Sequence, residues 1–232
     1  MIKKWIFIFL VLFPAISFGE QYLESIPNNC FTNGIYCSHS KVVKKVVDGS
    51  LKQMINVEIY LSLSTEDYFN ENEILDLFYD FGSWGRYASQ EGSESIRFYN
   101  TMELDPIEKD GITIRRQYLH YDIRAPRPVT RTTIEAVGHY WQIPSVDGAL
   151  ATVQFKHLTE GNNYIPGVGV LIGCRGLKYT AGIFHIYYDK LKKNFLVTFS
   201  ADVIPEASFL LNVAASYVEN GFLSIMKGMF GL

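Results

Sequence analysis

The chain is poor in the residues that announce most chemistries. Only three of its 232 residues are cysteine and five are histidine. No Cys-x-x-Cys or His-x-x-x-His pair occurs, so the ordinary zinc spacings are excluded and no metal is expected. There is no Gly-x-Ser-x-Gly elbow to present a nucleophilic serine. The one glycine run, Gly167-Val168-Gly169-Val170-Leu171-Ile172-Gly173, has the wrong spacing for a dinucleotide loop and no strand-to-helix context around it. Charged residues make up 19% of the chain and no basic tract stands out among the 21 Lys and Arg against 24 Asp and Glu, which excludes a nucleic-acid partner. Repeats and low-complexity segments are missing. So is any Asn-x-Ser/Thr sequon, which points toward a bacterial periplasm rather than a eukaryotic secretory route.

What the chain does have begins with a leader. Lys3 and Lys4 form a basic n-region, Trp5 to Ile16 an apolar core, and Ser17-Phe18-Gly19 offers small residues for a signal peptidase. Residues 1–19 are therefore expected to be a signal peptide cut near Gly19–Glu20, giving a periplasmic or secreted protein, with an uncleaved N-terminal anchor as the alternative. The apolar run is short of the roughly 20 residues that span a bilayer, so no integral span is expected after cleavage. Loss of Lys3 and Lys4 leaves 19 basic residues against 24 acidic, a net charge of about −5. Residues 20–50 form a polar extension holding Cys30 and Cys37. In an oxidising compartment the two are expected to pair, with two free thiols as the alternative. Cys174 lies in an apolar stretch and is most simply a buried small hydrophobe.

Further along, apolar residues are 48% of the chain and aromatics 15%, enough for one domain with a full core. Lys41 to Val47 fits either an edge strand or a helix turn, and Asp48-Gly49 is a turn signal. Met54 to Leu63 alternates as a strand. Ser64-Thr65-Glu66-Asp67 is expected to cap a helix, and Ile74, Leu75, Leu77, Phe78 and Phe81 follow a helical period ended by Gly82 and Gly85. Strands are expected at 95–104, 111–121, 129–141, 149–158, 177–188 and 194–203, joined by short turns into an antiparallel sheet. Residues 164–176 are left between loop, strand and helical turn. From Pro205, placed at the first helical position, to Leu232 the chain reads as one long helix that is apolar on most sides and so is buried. A rival reading lays that helix on a bilayer, but Lys227 is its only basic residue.

This order of elements resembles the START-like superfamily, also called SRPBCC or helix-grip proteins. The matching stretch runs from Asn56-Val57-Glu58-Ile59-Tyr60-Leu61-Ser62 through Thr65-Glu66-Asp67 to Asp80-Phe81-Gly82-Ser83-Trp84, and the resemblance covers roughly residues 50–232. Phe69 to Glu73 departs from the pattern by lengthening or breaking the first helix. The resemblance implies an α+β helix-grip fold: a curved antiparallel sheet of about seven strands wrapped around a long C-terminal helix, with two short helices after the first strand. It further implies an apolar tunnel between sheet and helix that takes a lipid or other hydrophobic molecule. It supplies no catalytic set, and no cofactor is expected.

The candidate ligand-binding residues are Trp84, Tyr87, Phe98, Arg116, Tyr118, His120, Trp141, Phe155, Phe184, Val213 and Tyr217, with Tyr187 a further aromatic candidate. Buried tyrosines suit an apolar cavity with a few polar handles. Arg116 and His120 share a strand face with Ile112, Ile114 and Tyr118 and are the pair to watch for acid–base work. His139, His157 and His185 are read as ordinary strand histidines. Arg115, Arg116, Arg124, Arg127 and Arg131 offer a positive rim. The leading reading is an exported binder of a hydrophobic small molecule or lipid. The alternatives are a polyketide cyclase- or hydratase-like enzyme on the same scaffold, or an interaction module whose cavity is filled.

Overall fold

Alternating apolar residues and three Asp-Gly turns build one large sheet. In the computed structural model the described residues are 26–27, 30–31, 34–90, 96–123, 132–158, 164–165, 169–170, 177–205 and 211–232. The strands are β1 (Tyr36–Val47), β2 (Ser50–Ser64), β3 (Ile96–Lys109), β4 (Ile112–Ile123), β5 (Thr132–Ile143), β6 (Ala151–Leu158), β7 (Tyr164–Ile165), β8 (Gly169–Val170), β9 (Leu177–Asp189) and β10 (Asn194–Pro205). The helices are α1 (Glu71–Tyr79), α2 (Trp84–Gln90) and α3 (Leu211–Phe230), with a 3₁₀ turn at Phe81–Ser83. Eight strands pair in the order β1-β2-β10-β9-β6-β5-β4-β3, every neighbour antiparallel, and β7 pairs only with β8. This is the helix-grip architecture. The sheet has eight strands rather than about seven because Lys41–Val47 belongs to a 12-residue edge strand. Asp48 and Gly49 both hold positive φ, as do Asp110 and Gly111, so each pair closes a two-residue hairpin whose twist matches its strands.

The helix starts differ from expectation. Ser64 closes a turn, accepting a bond from the Glu66 N–H at 3.0 Å, and does not cap α1. The cap is Asn70, whose side chain accepts from the N–H groups of Asn72 and Glu73, while Glu73 accepts from the Phe69 N–H. The reciprocal geometry fixes the chain entry and satisfies the orphan donors of the first turn. Gly85, expected to break the helix, sits in the first turn of α2. At the other end, Pro205 is the last residue of β10, paired with Leu177 after a register shift, rather than the first of the helix. The sheet ladder keeps it because a terminal strand position needs no N–H from proline.

Period two gives the sheet an inner face toward the helices and an outer face. The inner face carries Ile55, Val57, Ile59, Leu61 and Leu63 on β2, Leu119 and Tyr121 on β4, Ala136 and Tyr140 on β5, Ala151, Val153 and Phe155 on β6, Phe184 and Ile186 on β9, and Phe195, Val197, Phe199, Ala201 and Val203 on β10. Against it lies α3, buried through Leu211, Ala215, Val218, Ile225, Met226, Met229 and Phe230. Edge strand β1 holds this helix from the side. Ser38 and Ser40 donate to the two oxygens of Glu219 at 2.7 and 2.6 Å. Gly228 lets α3 touch α2, since a Cβ there would stand 2.1 Å from the Tyr87 carbonyl oxygen. No described helix is long and apolar enough to cross a membrane.

The outer face has its own cover. Ile26, Cys30 and Phe31 pack on Tyr60, Tyr187 and Leu196 beside Ala149. Cys30 and Cys37 are joined in a disulfide, their Cα atoms 5.3 Å apart. Residues 1–19, Cys174, Arg124, Arg127 and Arg131 lie outside the described residues. Of the undecided 164–176 stretch, two short paired strands are described.

Candidate functional site

The inner face divides into two halves. At the near end stand the turns Asp110-Gly111 and Asp147-Gly148; at the far end β4, β6 and β10 finish and β5, β9 and α3 begin. The helices fill the near half with rings. Phe78 of α1 stacks on Phe184 with centroids 4.1 Å apart, and Phe81 lies 4.5 Å from Tyr140. Trp84 meets Phe78 and Tyr140 edge-on, and its Nε1–H donates to the Phe78 carbonyl at 3.1 Å. Each such pair adds about 0.5–1.5 kcal/mol beyond the area it buries. At the rim a half-open pocket of about 410 Å³ is lined by Tyr79, Gly111, Ile112, Thr113, Arg115, Tyr140 and Gln142. Arg115 sits 4.3 Å above the Tyr79 ring; burial pushes the Tyr79 hydroxyl up to about 12, with Arg115 opposing.

Smaller side chains line the far half: Leu119, Ala136, Thr180, Gly182, Ala201 and Val203. Gly182 lets the Phe155 ring lie flat across β9, since a Cβ there would come within 2.5 Å of that ring. Phe155 then stacks between Tyr140 and Phe199. Where the halves meet stands a buried polar chain. The Gln117 amide nitrogen donates to the Phe81 carbonyl at 3.0 Å, and the Tyr140 hydroxyl donates to the Gln117 amide oxygen at 2.8 Å. The same hydroxyl lies 3.1 Å from His157 Nε2. The backbone carbonyl sets the direction of the whole chain, because it only accepts. Gln117 must turn its nitrogen to Phe81 and its oxygen to Tyr140, Tyr140 spends its one proton on Gln117, and His157 therefore donates through Nε2–H.

That tautomer leaves His157 Nδ1 as a bare lone pair. His157 is 6% exposed, and its Nδ1 has no hydrogen-bond partner among the described residues. Thr180, its cross-strand neighbour on the same face, is 1% exposed, and its hydroxyl also lacks a partner. Burial pushes His157 down to about 4, with nearby His139 adding to it, so the imidazole is neutral around pH 7. Burial likewise raises the Tyr140 hydroxyl well above its usual value.

The residues nominated from sequence fall on both sides. Trp84, Phe155 and Phe184 belong to the inner cluster. Tyr87 is buried in α2, its hydroxyl donating to Asp80 at 2.9 Å. Tyr217 is half-buried on α3. Phe98 on β3 registers with Tyr121, and Val213 is in the first turn of α3, but both side chains lie outside the described part. Arg116, Tyr118, His120 and Trp141 are on the outer face and point away from α3. Arg116 Nε donates to the Asp105 carbonyl at 2.9 Å, Tyr118 to Glu135 at 3.3 Å, and Trp141 Nε1 to Gln154 at 3.1 Å. Tyr187 is also outward, beneath the disulfide segment. The correction has one cause: β4 and β5 carry apolar and polar residues at both parities, so alternation alone does not say which face turns inward. Gln117, Tyr140, His157 and Thr180 were missed. A signal existed for His157, which stands two residues from the nominated Phe155 and must share its face. Among the described residues, no group of three His, Cys, Asp or Glu side chains is placed to hold a metal ion.

No family model and no curated protein sequence matches the chain. Solved structures similar to it include the Zhui aromatase/cyclase from Streptomyces sp. R1128, 8% identical, covering 83% of this chain and 93% of that one with a TM-score of 0.45. The human StarD13 lipid transfer and protein localization domain is 8% identical over 84% and 88% of the two chains, with a TM-score of 0.47. Norcoclaurine synthase from Thalictrum flavum is 12% identical over 84% and 86%, with a TM-score of 0.37. These are distant likenesses, and the fold assignment rests on the strand order and helix placement described above.

Proposed function

We propose that the protein is exported and holds a hydrophobic small molecule or lipid between the far half of the inner face and α3. One observation carries the reading. The near half is filled by the rings of α1 and α2, whereas the far half is floored by small apolar residues with two unpaired polar groups among them. Apolar ligand surface buried there stabilises the complex by roughly 2.5 kcal/mol per 100 Å² before the costs of association. The Cys30–Cys37 disulfide supports the export reading, since such bonds persist in oxidising compartments. The test is native mass spectrometry of the mature protein after exposure to a total lipid extract. A discrete added mass that survives gentle desolvation is the expected result; a protein that stays bare across extracts overturns the reading. The same spectrum checks export, because cleavage near Gly19–Glu20 fixes the mass of the secreted chain.

A second reading, a cyclase- or hydratase-like enzyme, is favoured by one contact. Tyr140 and His157 are two titratable groups in contact on the inner side, 3.1 Å apart. Imidazole and phenol are side-chain types that serve in acid–base steps, here with the imidazole pKa lowered and the phenol pKa raised by burial. Turnover of a poly-β-ketone substrate that is lost in Tyr140→Phe establishes it, and binding without turnover rejects it.

A further inference from the structure

We propose that His157 and Thr180 are the polar anchor of the ligand space and select an apolar molecule that carries a hydroxyl group. The inference rests on the hydrophobic-ligand reading above and adds the polar group that ligand must bear. Its basis is the direction of the hydrogen-bond chain. From the Phe81 carbonyl through Gln117 and Tyr140 every proton is assigned, and the chain ends on His157 with Nε2–H donated inward. What remains at Nδ1 is an acceptor with nothing to accept. Such an atom, buried without a partner, is costly, and native proteins retain few of them.

Thr180 stands opposite His157 in the β6–β9 register, so the two side chains rise from the same face. Directly opposed residues have Cβ atoms about 4.5–5.5 Å apart. Both polar atoms are closed to solvent in this structure, so a small polar group meets them by displacing what covers them, and one group so placed can bond to both. A hydroxyl fits: it donates to His157 Nδ1 and accepts from the Thr180 hydroxyl. A ketone or ether only accepts, leaving Nδ1 unpaired. A carboxylate sets its own lone pairs against that of Nδ1 and carries a charge into an apolar site. An ammonium group can donate, but among the described residues no carboxylate is hydrogen-bonded to His157 or Thr180 to balance its charge. The surrounding Phe155, Ala136, Gly182 and Ala201 make the rest of the contact apolar.

The test compares 2-naphthol with 2-methoxynaphthalene, which keeps the rings and the oxygen but has no proton to donate. Binding of each is followed by ligand fluorescence with the intact mature protein. The wild type is expected to bind 2-naphthol at least about tenfold more tightly than the ether, the scale of one buried hydrogen bond. In His157→Phe that preference should fall below about threefold. Thr180→Val, nearly isosteric, should reduce it by a smaller factor. Thr180→Val should melt at or near the wild-type temperature, since it removes an unpaired hydroxyl, whereas His157→Phe also loses the buried 3.1 Å bond to Tyr140 and should melt lower. Equal wild-type affinities, or an ordered water bridging the two atoms with no preference for the phenol, overturn the anchor while leaving the ligand cavity standing. If neither probe binds, the imidazole ¹⁵N spectrum of protein loaded from the lipid extract decides. A His157 Nδ1 signal that moves on loading supports the anchor, and one that stays put while a species is bound overturns it. A protein that takes up neither probe nor lipid overturns both readings.

Discussion

Strand β4 turns Arg115, Gln117, Leu119 and Tyr121 inward and Ile114, Arg116, Tyr118 and His120 outward. By composition the two sets hardly differ. Their surroundings differ completely. Outside, polar groups meet partners across the sheet: Lys45 with Asp202 at 2.7 Å, Thr152 with His185 at 3.0 Å, Trp141 with Gln154, Tyr118 with Glu135. Part of that face is covered by the disulfide-bearing segment, and the buried Asn194 Oδ1 on it has no hydrogen-bond partner among the described residues. Inside, the polar groups form one directional chain that stops at two unpaired atoms. What sets the inner face apart is that its unpaired atoms lie together, His157 opposite Thr180, among small apolar side chains.

The contrast can be broken most strongly in the packed half. Phe184→Ala removes the partner on which Phe78 stacks, and the loss should be about 3–5 kcal/mol of unfolding free energy in a urea titration. A loss under about 1 kcal/mol would mean the near half is not the rigid part of the bowl.

Acid sharpens the comparison next. His157 folds neutral, near 4, against about 6.5 unfolded, so the unfolded chain takes up its proton first as pH drops. Its contribution is whole above pH 6.5 and is lost as pH falls toward 4, a decline on the order of 3 kcal/mol. Denaturant midpoints across that window should show the slope in the wild type and a flatter one in His157→Phe. Identical slopes would place the imidazole in contact with water.

Removing the outer staple has a smaller effect. Replacing Cys30 and Cys37 by serine should cost at most about 2–3 kcal/mol, because the bridged loop is short. Hydrogen exchange should quicken around Tyr60 and Leu196 more than around Phe155, since the disulfide segment covers the former. Uniform quickening would show that the two faces are not separable. Smallest of all should be Arg116→Ala together with His120→Ala. Both are only partly buried outward positions, so stability should shift within about 0.5 kcal/mol per site and the mass of the bound species should not change.

Much of the fold was legible. Alternation in Met54–Leu63 and in the later strands, the Asp-Gly turns, and an apolar helix after the last strand were enough for a sheet gripping a helix. Lys41–Val47 was not decidable alone, because an edge strand with lysines on it also resembles a polar helix turn; pairing with β2 settles it. The helix cap was misplaced since Ser64 and Asn70 both offer a capping oxygen, and only the packing of Ile74, Leu75 and Phe78 picks the second. Of the candidate site, what was legible is which face some nominated residues take. Phe155 and Phe184, nominated as aromatics in apolar strands, do lie on the inner face. Tyr140 was passed over for Trp141, one residue away, and a one-residue error in a strand is a change of face. His157 and Thr180 carry no sequence motif, because what singles them out is the absence of a partner.

The central claim is that the ligand lies against the inner face at the far end. Photocrosslinking with a diazirine-bearing fatty alcohol, mapped by peptide mass spectrometry, tests it directly. The labels are predicted on the peptides carrying Phe155–His157, Thr180–Gly182 and Ala201–Val203. Labels concentrated instead on Arg116, Tyr118, His120 or Trp141 would put the ligand on the outer face and contradict the account.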